Sequence, residues 1–394
     1  MISHDCDIAI TGGGLAGGLI ALALRRIRPE LEVLLLEAGP TLGGNHRWSW
    51  FTGDLDPDGA KLVDGFRKSE WPAGYEVRFP GFRRELGAIY RSLDSADFDA
   101  SLRRELGQRT IRTETRVASL TATQVELADG QTITARVVID CRDGADTDAL
   151  NGGWQVFMGR HLRLNAPHSL TRPVIMDASV EQLGGYRFVY VLPLGTNDIF
   201  IEDTYYQDTP TLDRNALSAR IDEYAAAQGW HGEEVHFETG VLPVITGGDF
   251  SAFQAAQRIP GVGQAGARGG FVHPLTSYTL PFAVSTALAI AADADLPGEL
   301  LAAKLEARAR DHWRATGFYR MLGRMLFAAA EPEERWRIFA RFYRLNESLI
   351  ERFYAGRSVF TDQARVLIGK PPVPIFAALR ALASGPPPLR KDIS

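Results

Sequence analysis

One stretch near the N-terminus, Asp7 to Gly18, restricts the possible folds more than any other part of the chain. Ile8 to Ile10 is an apolar run that reads as a short buried strand, and Leu15 to Arg26 reads as the helix after it. Between them Gly12, Gly14 and Gly17 stand at G-x-G-x-x-G spacing. The first glycine permits a tight turn, the second lets a pyrophosphate approach the backbone, and the third lets helix pack on strand. The start of the helix offers unpaired N–H groups and the positive end of its dipole to an anion.

In a chain with 39 glycines such a pattern is a weak signal by itself. Its context strengthens it. Val33 to Leu36 is a second apolar run, and it ends in Glu37. A carboxylate at the end of the second strand accepts hydrogen bonds from an adenosine ribose and repels a 2′-phosphate. The competing reading is a glycine-rich turn in an ordinary α/β protein. The dinucleotide reading makes Gly12, Gly13, Gly14, Leu15, Ala16, Gly17 and Glu37 cofactor contacts. Six residues after Glu37 come Gly43 and Gly44, then Asn45 and His46. An acid followed by Gly-Gly at this distance recurs in proteins that bind FAD in an extended conformation, which favours FAD over NAD. A surface turn is the plainer alternative. A late glycine-rich segment, Ile259 to Gly270, precedes an apolar helix starting near Leu280. Small residues such as Gly266 and Gly270 there let backbone crowd a cofactor.

At 394 residues the chain calls for two or three domains, or one large domain with an inserted one. We expect an α/β (α+β) architecture. A Rossmann-like FAD domain is assembled from residues 1–150 and 250–300, an antiparallel-sheet substrate domain from 151–249, and a helical cap from 301–394. Strand pattern dominates 151–249, with a hairpin at Gly195-Thr196-Asn197 and one helix, Leu212 to Gln228. A net charge of −5 argues against a nucleic-acid binder. Two cysteines, Cys6 and Cys141, form neither a disulfide framework nor a metal spacing, which fits a reducing, cytoplasmic setting. No apolar run reaches the roughly 18 residues of a membrane span. Phe318 to Ala330, Arg335 to Tyr343, Ser348 to Tyr354 and Val373 to Ala383 read as helices. Their arginine-edged apolar faces suit either a lid packed on itself or a membrane surface.

Two carboxylates, Glu202 and Asp203, interrupt the apolar strand after the hairpin. Strand alternation sends neighbours to opposite faces, so a regular strand aims only one of them inward. An acid in an apolar cavity has its pKa raised and can act as a proton donor near neutrality. The alternative is a pair of exposed charges at a strand end. His273, where the late glycine segment meets its helix, either contacts the cofactor or shuttles protons, or is satisfied by backbone groups. No metal-ligand spacing and no nucleophile–base signature stand in the sequence.

Further stretches carry a resemblance. They include Gly44-Asn45-His46 with Trp48, Gly153-Trp154-Gln155, Met176-Asp177-Ala178 and Gly185 to Tyr190. Ile201-Glu202-Asp203-Thr204, Gly240 to Pro243, His273-Pro274, Arg324 to Phe327 and Leu349 to Tyr354 continue the series. Together they resemble the bacterial lycopene β-cyclase family, FAD-dependent enzymes of carotenoid synthesis. Arg47 stands where that family tends to have Thr, and Leu275 and Ser277 interrupt its His-Pro-Thr-Thr-Gly-Tyr run. The resemblance implies closure of the acyclic ends of lycopene into β-rings without net redox change, through γ-carotene to β-carotene. It implies reduced FAD as cofactor, NADPH as external donor, and attachment to the inner face of a membrane. It implies Glu202 as the acid, Asp203 as orienter or second candidate, and His273 in the site. Two other functions on the same fold are a flavin monooxygenase or prenyl-chain reductase, and a carotenoid carrier with a relict nucleotide fold.

Overall fold

Every side chain from Ile8 to Thr11 is sealed from solvent, because this strand lies inside the parallel part of a mixed sheet with both faces covered. The computed structural model describes residues 4–145 and 147–369, together with 376, 380, 381, 383 and 389. Strand Cys6–Thr11 pairs in parallel with Val33–Leu36 on one side and with Thr132–Asp140 on the other. Ile111–Arg112 extends one edge, and the Gln124–Leu127 and Val117–Leu120 strands extend the other. Gly263–Gln264 also pairs in parallel with Thr132–Asp140, so the late glycine segment returns to the first sheet.

Helix Leu15–Ile27 packs on this sheet with Leu19 to Leu24 at 1% exposure or less. Helices Ser95–Leu106 and Leu280–Ala292 enclose it. Gly18 is what permits the contact with the first of them, since a Cβ there would lie 2.5 Å from both Leu102 and Phe98.

The second sheet runs in the order Gly232–Gly248, Leu150–Leu164, Asp198–Gln207, Tyr186–Pro193, Val174–Asp177, Tyr75–Phe79, Phe82–Leu86. Its neighbours are antiparallel except Val174–Asp177 with Tyr75–Phe79, which are parallel. Residues 75–86 therefore complete the second sheet, and the division expected at residue 150 does not separate the two layers. A small three-stranded sheet, with Tyr90–Asp94 between Arg47–Phe51 and Ser69–Trp71, lies beside them.

The two faces of the second sheet have different covers. Helix Arg214–Ala227 packs on one face against Ile199, Ile201 and Tyr205. The other face carries Phe200 and Tyr206 and meets an aromatic cluster with Tyr319, Phe327, Tyr343 and Phe353. Those residues belong to the C-terminal helical region, which includes Gly317–Ala329, Trp336–Phe342 and Glu347–Tyr354. Tyr319, Leu326 and Phe327 are buried, so the apolar side of Gly317–Ala329 faces inward rather than toward lipid. The expected helix Val373 to Ala383 lies largely outside the described residues. Among those residues, no helix is long and apolar enough to cross a membrane.

Candidate active site

The three glycines of the first loop do three separate jobs. Gly12 has φ of +94°, and a Cβ on it would stand 2.7 Å from the carbonyl group of Cys141. A Cβ on Gly17 would lie 2.0 Å from the Gly12 carbonyl oxygen, so helix and loop touch there. A Cβ on Gly14 would meet nothing within 4 Å. Gly14 is also the N-cap of its helix, without a side-chain cap and with no acid in the first turn. Open space beside an uncapped helix start fits a pyrophosphate. Glu37 reaches back to this loop, accepting the N–H of Gly13 and of Gly39, each at 2.7 Å.

Other loops close around the same point. Gly43 donates its N–H to the Gly13 carbonyl, and Gly43 and Gly44 both have positive φ. The side chain of Asn45 faces the second sheet, where its amide donates to the Phe237 carbonyl and its oxygen meets His236 Nε2 at 2.6 Å. Gly266 has φ of +65°, and a Cβ on it would lie 2.9 Å from that of Ala16. The late loop thus packs on the first turn of the glycine-loop helix. Gly270 packs instead against Phe250, away from that turn. Asp140 is fully buried and accepts a two-pronged bond from Arg142 at 2.8 and 2.9 Å. It acts as a local cap.

Beside these loops lies a cavity of about 270 Å³ between the second sheet and the C-terminal helices. His46, Trp48, Phe157, Phe188, Tyr190, Tyr206, Phe339 and Tyr354 give it a largely aromatic wall. Glu202 lines it. Burial pushes the Glu202 carboxyl up to about 7, partly offset by the Thr204 hydroxyl that donates to it at 2.6 Å. Asp203 points through the opposite face, toward helix Arg214–Ala227. It pairs with Arg187 at 2.7 Å and accepts from the Tyr205 hydroxyl at 3.1 Å. Alternation along the strand separates the two acids, so Asp203 does not face the cavity as a second candidate.

His273 is also not in the cavity. It is fully buried, its Nε2 bonds the Phe353 carbonyl, and its Nδ1 accepts the N–H groups of Leu275 and Thr276. Burial pushes its pKa down to about 3, so it is a neutral ring that shapes a turn. The expected role in proton transfer gives way to a structural one. That turn supplies Thr276, Ser277 and Tyr278 to the cavity wall. Ser277 takes φ of +57°, a conformation suited to the glycine that its sequence pattern lacks.

Sequence reasoning missed Glu238. It is 5% exposed, lines the same cavity, and stands opposite Gly159, which in turn stands opposite Glu202. Burial pushes its carboxyl up to about 8, helped by the charge of Glu202 and opposed by Arg47. Arg47 lies against the Phe200 ring and is held by Asp94 at 3.2 Å and Ser92 at 3.3 Å. The buried oxygens Gln155 Oε1 and Thr276 Oγ1 belong to residues of the cavity wall and have no partner among the described residues. A hydrocarbon would leave them unsatisfied, whereas a ring with polar edges, such as a flavin, would not.

The lycopene cyclase protein family model matches residues 7–380. The chain is 45% identical to a lycopene beta-cyclase of Pseudescherichia vulneris, over 95% of this chain and 96% of that one. A geranylgeranyl bacteriochlorophyll reductase-like protein of Thermoplasma acidophilum shares the fold, with a TM-score of 0.59 at 14% identity and 96% coverage of both chains. So does the flavin-dependent brominase Bmp2, with a TM-score of 0.58 at 14% identity, covering 92% of this chain and 97% of the other. By the match of residues 7–380 to that family and of 95% of its length to a relative of this identity, the chain belongs to the lycopene cyclase family.

Proposed function

We propose that the chain is a lycopene β-cyclase in which Glu202 is the acid that starts ring closure. Glu202 protonates the terminal double bond of an acyclic end. The resulting cation is attacked by the inner double bond, a ring forms, and loss of a proton leaves the ring double bond. One proton enters and one leaves, so no oxidant or reductant is consumed. The observation that carries this reading is a buried carboxyl, raised by burial to about 7, on the wall of an aromatic cavity. Aromatic faces stabilise a passing cation by about 0.5–2 kcal/mol each. The aromatic wall also leaves little polar surface to hold water beside it.

FAD fits the loops around the cavity. Gly12 to Gly17, Glu37, the backbone of Gly44 to His46, and Gly266 are the residues that would hold it, with Gly270 supporting the late loop. Bound in reduced form it would supply negative charge to the site, with NADPH as the external source of that reduction. The substrate is too apolar for water and comes from a membrane surface. Supporting this, Val359, Phe360, Leu367 and Ile368, on and beside helix Phe360–Leu367, are exposed by 50, 83, 44 and 62%. The same helix contributes Val366 and Leu367 to an apolar cavity of about 110 Å³. That cavity shares Thr276, Phe339 and Tyr354 with the main one, which gives a greasy path between surface and acid.

The test is anaerobic incubation of lycopene with the protein, FAD and NADPH, followed by chromatography of the carotenoids and of the remaining NADPH. γ-Carotene followed by β-carotene, with no NADPH consumed per ring, is the expected outcome. Consumption of NADPH in proportion to product would replace the reading with a reductase or monooxygenase. Unchanged lycopene would leave a carrier.

A further inference from the structure

The cross-strand register sets Glu202, Gly159 and Glu238 in one row across three adjacent strands of the second sheet. Residues in register share a face, so both carboxylates project into the cavity with only a glycine between them. The space over Gly159 is taken by the Phe200 ring, since a Cβ there would lie 2.2 Å from that ring. Two acids thus flank an aromatic face, about two strand spacings or roughly 10 Å apart at the backbone. His236 and Phe237, next to Glu238, bond the side chain of Asn45. Glu238 is therefore the acid nearer in sequence to the contact with the Gly43–His46 loop.

The two acids are not equivalent. Thr204 donates to Glu202 and stabilises the carboxylate left after its proton has gone. No described residue donates a hydrogen bond to Glu238. Thr204 thus eases the loss of a proton from Glu202, and Glu238 has no such donor among the described residues to steady its own carboxylate. Arg47 lies near both and favours one negative charge on the pair. Two carboxyls in one low-dielectric site do not both ionise cheaply, and the productive form has the proton on Glu202 and the charge on Glu238.

We propose that Glu238 is the second catalytic carboxylate, taking the proton that leaves the ring while Glu202 supplies the one that enters. This rests on the reading of Glu202 as the acid. The step balances without a further reagent. Glu202 gives its proton to the CH carbon of the terminal double bond, and the inner double bond attacks the cation left on the dimethyl carbon to close the ring. The hydrogen on the ring carbon that bears the polyene then passes to Glu238. The electrons of that C–H bond become the ring double bond. The pair ends with its proton moved from one carboxyl to the other, and it resets between turnovers when Glu238 releases a proton to water and Glu202 takes one up.

The position of the base decides which hydrogen is lost, and therefore the ring type. Removal from the carbon bearing the polyene gives a β-ring. Removal from the neighbouring ring methylene gives a ring whose double bond lies outside the conjugated chain. Glu202→Gln, Glu238→Gln and Glu238→Asp are assayed with reduced FAD and lycopene, after flavin binding and melting curves are recorded for each. Products are resolved by chromatography and by the shortened chromophore of the displaced isomer. Glu238→Gln is expected to close rings still, with the β-ring share reduced at least tenfold and the displaced isomer in its place. Glu238→Asp, which keeps a carboxylate on a shorter arm, is expected to restore β-rings in part, and it decides the matter if the Gln variant fails to fold. Wild-type rate and product from Glu238→Gln would overturn the proposal. So would complete loss of ring formation in a Glu238→Gln protein that binds flavin, because Glu238 would then supply the first proton. Rings from Glu202→Gln would overturn the reading of Glu202, a result separate from either outcome at Glu238.

Discussion

Replacing Glu202 by Gln removes one ionisable group and keeps the shape of the side chain. Burial moves the Glu202 carboxyl from 4.5 to about 7. Between those values the native protein holds a proton that the unfolded chain has released. Stability therefore falls as pH rises through that window. The contribution is fully present below 4.5 and is lost above about 7. At about 1.4 kcal/mol for each tenfold change in proton affinity, the step from 4.5 to 7 is worth about 3 kcal/mol. The Gln variant carries no such penalty. It should match the unmodified protein near pH 4.5 and exceed its stability by about 3 kcal/mol near pH 9. In a chain of 394 residues this is a rise of about 4 °C in melting temperature. The Glu238 carboxyl should titrate lower in the variant as well, since the charge of Glu202 helps to hold it up. Thermal and urea unfolding of both proteins, run side by side from pH 4.5 to 9, measures the difference. A gap between the two that stays constant with pH would refute the argument, because a solvated carboxyl at position 202 would give that result.

Gly14→Ala should leave the melting temperature of the flavin-free protein within about 1 °C yet weaken FAD binding about tenfold, read by flavin fluorescence. Gly17→Ala should instead destabilise the protein by about 3 kcal/mol, because its Cβ would lie 2.0 Å from the Gly12 carbonyl oxygen. His273→Ala should cost about 2–4 kcal/mol in urea unfolding, while the residual activity keeps the pH profile of the parent. A lost limb in that profile would return His273 to proton transfer. Phe360→Glu combined with Ile368→Glu should cut flotation with phospholipid vesicles about tenfold, with stability changed by less than about 0.5 kcal/mol. Undiminished flotation would move the membrane contact elsewhere on the chain.

Local rules reached much of this structure. The strand, helix and acid from Ile8 to Glu37 are legible because each glycine and each apolar run has a local reason. The split between Glu202 and Asp203 follows from strand alternation alone. Glu238 was not legible, because it follows Glu233, Glu234, Val235, His236 and Phe237, a stretch that reads as an exposed strand. Only its pairing with Leu150–Leu164 carries it under cover, and register between distant strands leaves no mark in the local pattern. Residues 75–86 join the second sheet for the same reason. His273 misled because its place in the chain suggests chemistry, whereas two backbone N–H groups and a carbonyl use both ring nitrogens. Arg47 was visible as a departure from the family pattern, but its position near both carboxyls needed the fold.

The main cavity encloses about 270 Å³. A long polyene with an end group at each tip outsizes that space several-fold, so only one tip is indoors at a time. A product closed at both tips then requires two visits, with the molecule reversed between them. The half-finished carotenoid leaves the cavity and competes with fresh substrate for re-entry. Nothing at Glu202 inspects the far tip. Molecules already closed or oxidised at that end should be handled like the parent, and the order of steps in a cell would follow supply rather than recognition.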